Sequence, residues 1–268
     1  MSATMLTSMF WFGLALKIVM TAGLVVVASV VVERSGPFIG ALIAALPTAG
    51  GAAMIILAIE HDVDFIAQSV VGSMVANAVC PLFALTFAVL AQRRSLPASL
   101  GGALAVWLTG ALLSRLVPWT ATTALLANAV VYPVTIAIAS HFLGDGKVKA
   151  RVDLTARDLA WRAGVVTLCV TTVTALSSSI GSYFSGVFAF FPVAMSSFFI
   201  ILYMRAGGPV AASVASHVQA PLIGLTIGLF AVYWLVEPIG VWRAYLIGLT
   251  ICVAWNGLLW IWKNRRTR

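Results

Sequence analysis

Residues 188–202 read FAFFPVAMSSFFIIL, an almost wholly apolar run with a proline at its centre and two serines close behind. Residues 43–57, IAALPTAGGAAMIIL, have the same form: an apolar run, Pro47, small residues, and a second apolar run ending Ile-Ile-Leu. Proline removes a backbone donor and crowds the carbonyl four residues back, so each stretch predicts a kinked or broken helix. The two stretches raise the same question twice, which makes the surrounding chain the place to look for the answer.

Of the 268 residues, 62% are hydrophobic and 9% charged, against roughly 45–50% and 25% in a soluble domain. Apolar segments long enough for a membrane helix, about 20 residues each, recur from end to end, whereas the alternating strands of about 10 residues that build a barrel are absent. This predicts an all-α polytopic membrane protein. No basic residue precedes Lys17 and no small-residue cleavage site follows the first apolar run, so that run reads as a retained span. Cys80, Cys169 and Cys252 fall inside apolar runs and read as small buried hydrophobes, with no disulfide or metal framework.

Nine spans can be drawn, at 9–32, 37–59, 66–91, 97–115, 120–143, 159–178, 182–204, 210–235 and 241–262. Basic loops are retained on the cytoplasmic side. With the C-terminal KNRRTR placed inside, thirteen of the sixteen Lys and Arg residues fall on the cytoplasmic half, and the acidic loop EHDVD (60–64) faces out. The expected setting is a bacterial inner membrane, N-terminus outside and C-terminus cytoplasmic. Topology thereby accounts for the net charge of +8; the basic residues are scattered without aromatic interleaving, which argues against a nucleic-acid partner. The expected partners are the bilayer and a small solute, with a homo-oligomer compatible with the sequence.

A shift of 145 residues lays Gly36 on Gly181, Pro47 on Pro192, Ile55-Ile56-Leu57 on Ile200-Ile201-Leu202, and Lys17 on Arg162. Past the next loop the shift becomes 140, laying Ser73 on Ser213, Asn77 on His217 and Pro81 on Pro221; near the end a shift of 147 lays Gly101 on Gly248, Thr109 on Asn256 and Gly110 on Gly257. The reading is a four-helix repeat (9–115), an unpaired linking helix (120–143), and a second four-helix repeat (159–262). One odd span between the units makes the second repeat inverted.

Inverted repeats with helices interrupted at corresponding positions point to a binding site near the bilayer midplane. Pro47, Pro81, Pro192 and Pro221 all lie near mid-span and are the expected helix breaks and gates. Asn77 and His217 stand four residues before Pro81 and Pro221, so a polar side chain and a freed carbonyl coincide at both places. Thr48, Asn77, Ser196, Ser197 and His217 are the expected site residues. Thr109, Asn128 and Asn256 are weaker candidates, Gln68 and Gln219 read as cross-helix hydrogen-bonders, and Lys17 and Arg162 read as basic chains snorkelling to opposite faces. "TAGG" (48–51) and the Ser196–Ser197 pair also suit close helix packing.

No Asp or Glu falls inside a span, which argues against a carboxylate proton relay and leaves His217 as the proton-coupling candidate. There is no phosphate-binding glycine loop, no metal cluster and no catalytic triad, so no cofactor is expected and an enzyme is disfavoured.

A basic residue in the first helix, then GALIAALPT (40–48), then LPASLGGALAVW (96–107) resembles the small four-helix GlpM-type membrane proteins. The resemblance covers residues 10–115, and 160–262 only through the internal repeat. It implies a link to glycerol metabolism or exopolysaccharide production and supplies no catalytic residue. The second half departs from it with VAMSS (193–197) for TAGG and His217 for Asn77. The expected function is transport or permeation of a small neutral or anionic solute; the alternative is a lipid-handling or accessory protein of envelope polysaccharide synthesis.

Overall fold

A computed structural model of the chain describes residues 48–143 and 155–266, with Val19 and Gly23 besides. Lys17, Gly36, Pro47, the span at 9–32 and the first part of that at 37–59 lie outside the described residues. The described chain is helical: α1 (Thr48–Glu60), α2 (Val63–Ala91), α3 (Leu96–Leu113), α4 (Ala121–Leu143), α5 (Ala156–Ala189), α6 (Val193–Ala206), α7 (Gly208–His217), α8 (Gln219–Ile239) and α9 (Val241–Arg266). Among the described residues, six helical stretches are long and apolar enough to cross a membrane; one of them runs from Ala156 to Ala206 and so joins two of the spans drawn from sequence.

That stretch is 51 residues long. At about 1.5 Å per residue it would exceed twice the hydrocarbon thickness if straight. It is interrupted twice. Gly181 adopts φ 80, ψ 167 inside α5, a conformation that a side chain at this position would make costly. Phe190 and Pro192 then leave the helical region (ψ 22 and 40), and α6 restarts at Val193. The apolar stretch around Pro192 is therefore a broken helix, as expected from its proline.

α2 is the central element and packs against α3, α4, α5, α7 and α8. Its buried side runs from Ile66 to Ala91, with Met74, Phe83 and Phe87 fully enclosed. Its tightest neighbour is the segment after Gly181. A Cβ on Gly72 would overlap the Tyr183 carbonyl oxygen, and one on Gly186 would overlap that of Ser69. Two serines bind across the same contact: Ser69 Oγ donates to the Ser182 carbonyl at 2.9 Å and Ser73 Oγ to the Gly186 carbonyl at 3.1 Å. Small residues let helix backbones approach, and their hydroxyls then reach a neighbour's carbonyl.

α3, α4 and α9 form the outside, and their outward faces are apolar. Leu126 and Val130 on α4 are 60% and 64% exposed, and Leu246 and Leu258 on α9 66% and 62%. Faces of this kind are stable against hydrocarbon and unfavourable against water. Cys80 and Cys252 are buried and Cys169 half-buried, all as free thiols.

Candidate functional site

Asn77, one of the expected site residues, is fully buried at the middle of α2. Pro81 does not break this helix; α2 runs through it without interruption. It does deprive the Asn77 carbonyl of its helical donor, and Tyr132 of α4 fills the gap, its hydroxyl donating to that carbonyl at 3.1 Å.

The Asn77 side chain ties three helices together. Its Nδ2 donates to Thr226 Oγ1 of α8 at 2.8 Å, and at 3.3 Å to both the Leu222 carbonyl and Asn128 Oδ1 of α4. Thr226 Oγ1 donates onward to Asn128 Oδ1 at 3.0 Å, while Asn128 Nδ2 donates to the Met74 and Ala124 carbonyls at 2.9 and 2.7 Å. Asn77, Asn128, Tyr132 and Thr226 are each at most 4% exposed. The cluster carries no charge and is closed in this conformation.

Two groups in this region lack partners. Among the described residues, nothing donates to the buried Asn77 Oδ1, and the buried oxygen and nitrogen of the Gln219 amide have no hydrogen-bond partner. Gln219 precedes Leu222 by three residues and Thr226 by seven, so it lies on the face of α8 that α2 covers. The cross-helix bond expected of Gln219 is not made, and Gln68 is exposed. A buried amide with no partner is costly.

His217 does not join Asn77. It is exposed at the end of α7, with Nδ1 2.6 Å from the Ser213 carbonyl of its own helix and 3.2 Å from Ser216 Oγ. Val218 beside it keeps helical dihedrals, φ −66 and ψ −23, so the backbone stays helical from α7 into α8, and Pro221, in the first turn of α8, does not make the break expected of it. Of the weaker candidates, Thr109 is exposed and Asn256 buried.

The break before α6 gathers the remaining expected residues. The helix begins at Val193 with no side-chain cap, leaving the positive end of its dipole uncapped by a side chain. Ser196 and Ser197 are 8% and 2% exposed in its first turns. Ser197 Oγ donates to the Ala194 carbonyl at 3.0 Å, whereas Ser196 Oγ is buried without a partner. α1 begins at Thr48 close by: a Cβ on Gly50 would come within 2.6 Å of the Phe190 ring.

Arg162 departs furthest from expectation. It does not snorkel; it is 4% exposed, and its Nε and Nη1 have no hydrogen-bond partner among the described residues. Its guanidinium lies 5.1 Å from the centre of the Phe198 ring of α6. The carboxylate one turn earlier, Asp158, is engaged elsewhere, capping α5 with Thr155 and pairing with Arg205 at 2.6 Å. Sequence gave no sign of this burial, because nothing in the spacing shows which side of α5 is covered.

An apolar cavity of about 260 Å³ lies between α1, α8 and α9, lined among others by Met54, Phe190, Leu225, Leu229, Tyr245 and Cys252. No family model, curated protein or solved structure matches the chain.

Proposed function

We propose that the chain is an integral membrane transporter or permease for a small neutral or anionic solute. The observation that carries this reading is the broken passage at Phe190–Pro192, from which α6 restarts with a buried, unpartnered Ser196 hydroxyl in its first turn. A membrane helix interrupted in this way turns its half-helix N-terminus toward an anionic or hydrogen-bonding guest, and irregular backbone at that depth is tolerated where it lines a cavity or is enclosed by protein.

The finer architecture belongs to the same proposal: nine spans, an inverted pair of four-helix repeats at 9–115 and 159–262, and the linking helix 120–143, in a bacterial inner membrane with the C-terminus cytoplasmic. Its support is the antiparallel packing of α2 on α7 and α8. Gly208 meets the Ala91 carbonyl and Asn77 meets the Leu222 carbonyl. The numbers of both facing pairs add to 299, the mark of antiparallel helices, which an inverted repeat requires of this contact. An axis exchanging residue n with n + 140 would cross this contact near Cys80 and Gln219, beside the polar cluster, where repeat-built transporters place their sites. His217, exposed, is then the equivalent of a buried Asn77, and the two halves are unlike in this conformation.

The test is flux. The purified chain is reconstituted in liposomes and offered labelled polyols, small carboxylates and inorganic anions, with Ser196→Ala and Asn77→Ala beside the wild type. Uptake of one class that either substitution reduces at least about tenfold, one factor of ten being about 1.4 kcal/mol, supports the reading. Absence of flux for every class by well-folded, inserted protein refutes it.

The apolar cavity favours a second reading, a lipid-handling or accessory protein of envelope polysaccharide synthesis, in keeping with the resemblance of residues 10–115 to GlpM-type proteins. A lining of aliphatic and aromatic groups recognises an acyl chain. Under this reading lipid co-purifies in fixed ratio with the chain, and Gly51→Leu, at the cavity wall, reduces that ratio.

A further inference from the structure

We infer that Arg162 is the binding residue of an oxyanion site, taking a phosphate or carboxylate group against α5 and α6. The transport reading is needed only for calling that anion a substrate; the site itself stands on the geometry of Arg162. A guanidinium withdrawn from water is retained in folded proteins when it is paired and hydrogen-bonded. Among the described residues, Arg162 has no carboxylate partner, and two of its three guanidinium nitrogens, Nε and Nη1, have no hydrogen bond.

Among the described residues, the guanidinium carbon lies 5.1 Å from the Phe198 ring, and a cation over a ring recovers much less than desolvation removes. The Phe198 ring offers the guanidinium N–H groups no conventional acceptor. A guanidinium grips an oxyanion through either of two edges, and each of those edges contains one of the two free donors. Arg162 is six residues on from Ala156, about 9 Å along the helix. α6 brings a second positive feature, its uncapped N-terminus with the unpartnered Ser196 hydroxyl. These lie on the helix that carries Phe198.

The experiment is thermal unfolding of the full chain in a neutral detergent. Inorganic phosphate, sulfate and acetate are compared with chloride at matched ionic strength, and phosphatidylglycerol with phosphatidylcholine. Wild type is compared with Arg162→Gln, Arg162→Lys and the exposed control Arg157→Gln. At 100 times the dissociation constant the bound anion raises the wild-type midpoint by about 5–10 °C. Arg157→Gln keeps that response, Arg162→Lys weakens it, and Arg162→Gln abolishes it.

In chloride alone Arg162→Gln matches or exceeds the wild-type midpoint, because it removes an unpaired buried charge. A lower midpoint there would mean that Arg162 is paired within the chain, and would overturn the site. So would an oxyanion response that survives Arg162→Gln. A response to phosphatidylglycerol alone assigns the oxyanion to a lipid headgroup, and a response to the soluble anions assigns it to a free solute. Binding that depends on Arg162 without liposome flux keeps the site and refutes transport; flux indifferent to Arg162→Gln keeps transport and refutes the bound anion as its substrate.

Discussion

Replacing Tyr132 by Phe tests how α2 carries a proline through its centre. The Tyr132 hydroxyl donates to the Asn77 carbonyl at 3.1 Å, with Tyr132 2% exposed and Asn77 fully buried. That carbonyl needs an outside donor because Pro81, four residues on, has no N–H. An unpaired buried polar group costs about 1–3 kcal/mol, while measured interhelical hydrogen bonds in membranes average about 0.6 and reach about 1.7 kcal/mol. The removal of one well-buried bond therefore predicts a loss of about 1–1.5 kcal/mol. In a Pro81→Ala background the residue at 81 supplies its own N–H to the Asn77 carbonyl, and Tyr132→Phe then costs less than about 0.5 kcal/mol. The coupling between the two positions is thus about 1 kcal/mol. Reversible unfolding in mixed dodecyl maltoside and SDS micelles, followed by circular dichroism, measures all four corners of the cycle. An equal penalty for Tyr132→Phe in both backgrounds would refute the reasoning, since the hydroxyl would then serve something other than the carbonyl that proline exposes.

Three further outcomes follow from the same geometry. Gly72→Ala and Gly186→Ala each force backbone apart at the α2–α5 contact, so each lowers stability by about 1–3 kcal/mol; Gly164→Ala, with open space around it, is neutral or stabilising by up to about 1 kcal/mol, and chemical unfolding of the three variants in parallel checks the ranking. Asn77→Ala and Thr226→Ala share the 2.8 Å bond, and their double-mutant cycle gives a coupling of about 0.5–1.5 kcal/mol. Asp158→Asn destabilises more than Arg205→Gln, because Asp158 also completes the capping box with Thr155; the exposed ion pair alone is worth at most about 1 kcal/mol, and thermal unfolding at low and high salt separates the two contributions.

Much of this was legible in the chain itself. A composition of 62% hydrophobic residues leaves little but apolar helices, and their lengths follow from the polar breaks between them. Pro192 dictates an interruption because its ring cannot continue the helix behind it, and the interruption is found at Phe190–Pro192. Pro81 dictates a freed carbonyal at Asn77 by covalent structure alone. Each of these consequences is local, fixed by atoms within one turn.

Tertiary structure alone decided which polar groups meet. Asn77 and His217 are equivalent by offset, yet one is enclosed by α4 and α8 and the other is exposed. Arg162 is buried although its place near a helix start resembles that of a snorkelling residue. Tyr132 and Thr226 carry no mark in the sequence that separates them from their neighbours. The reason is that helices such as α2 and α4 are apolar on every side, so the 3.6-residue period that separates core from surface in a soluble helix has nothing to separate here. The face a helix turns inward is set by small residues that permit contact, such as Gly72 and Gly186, and by hydrogen bonds between segments far apart in the chain. Both become visible only when the helices are brought together.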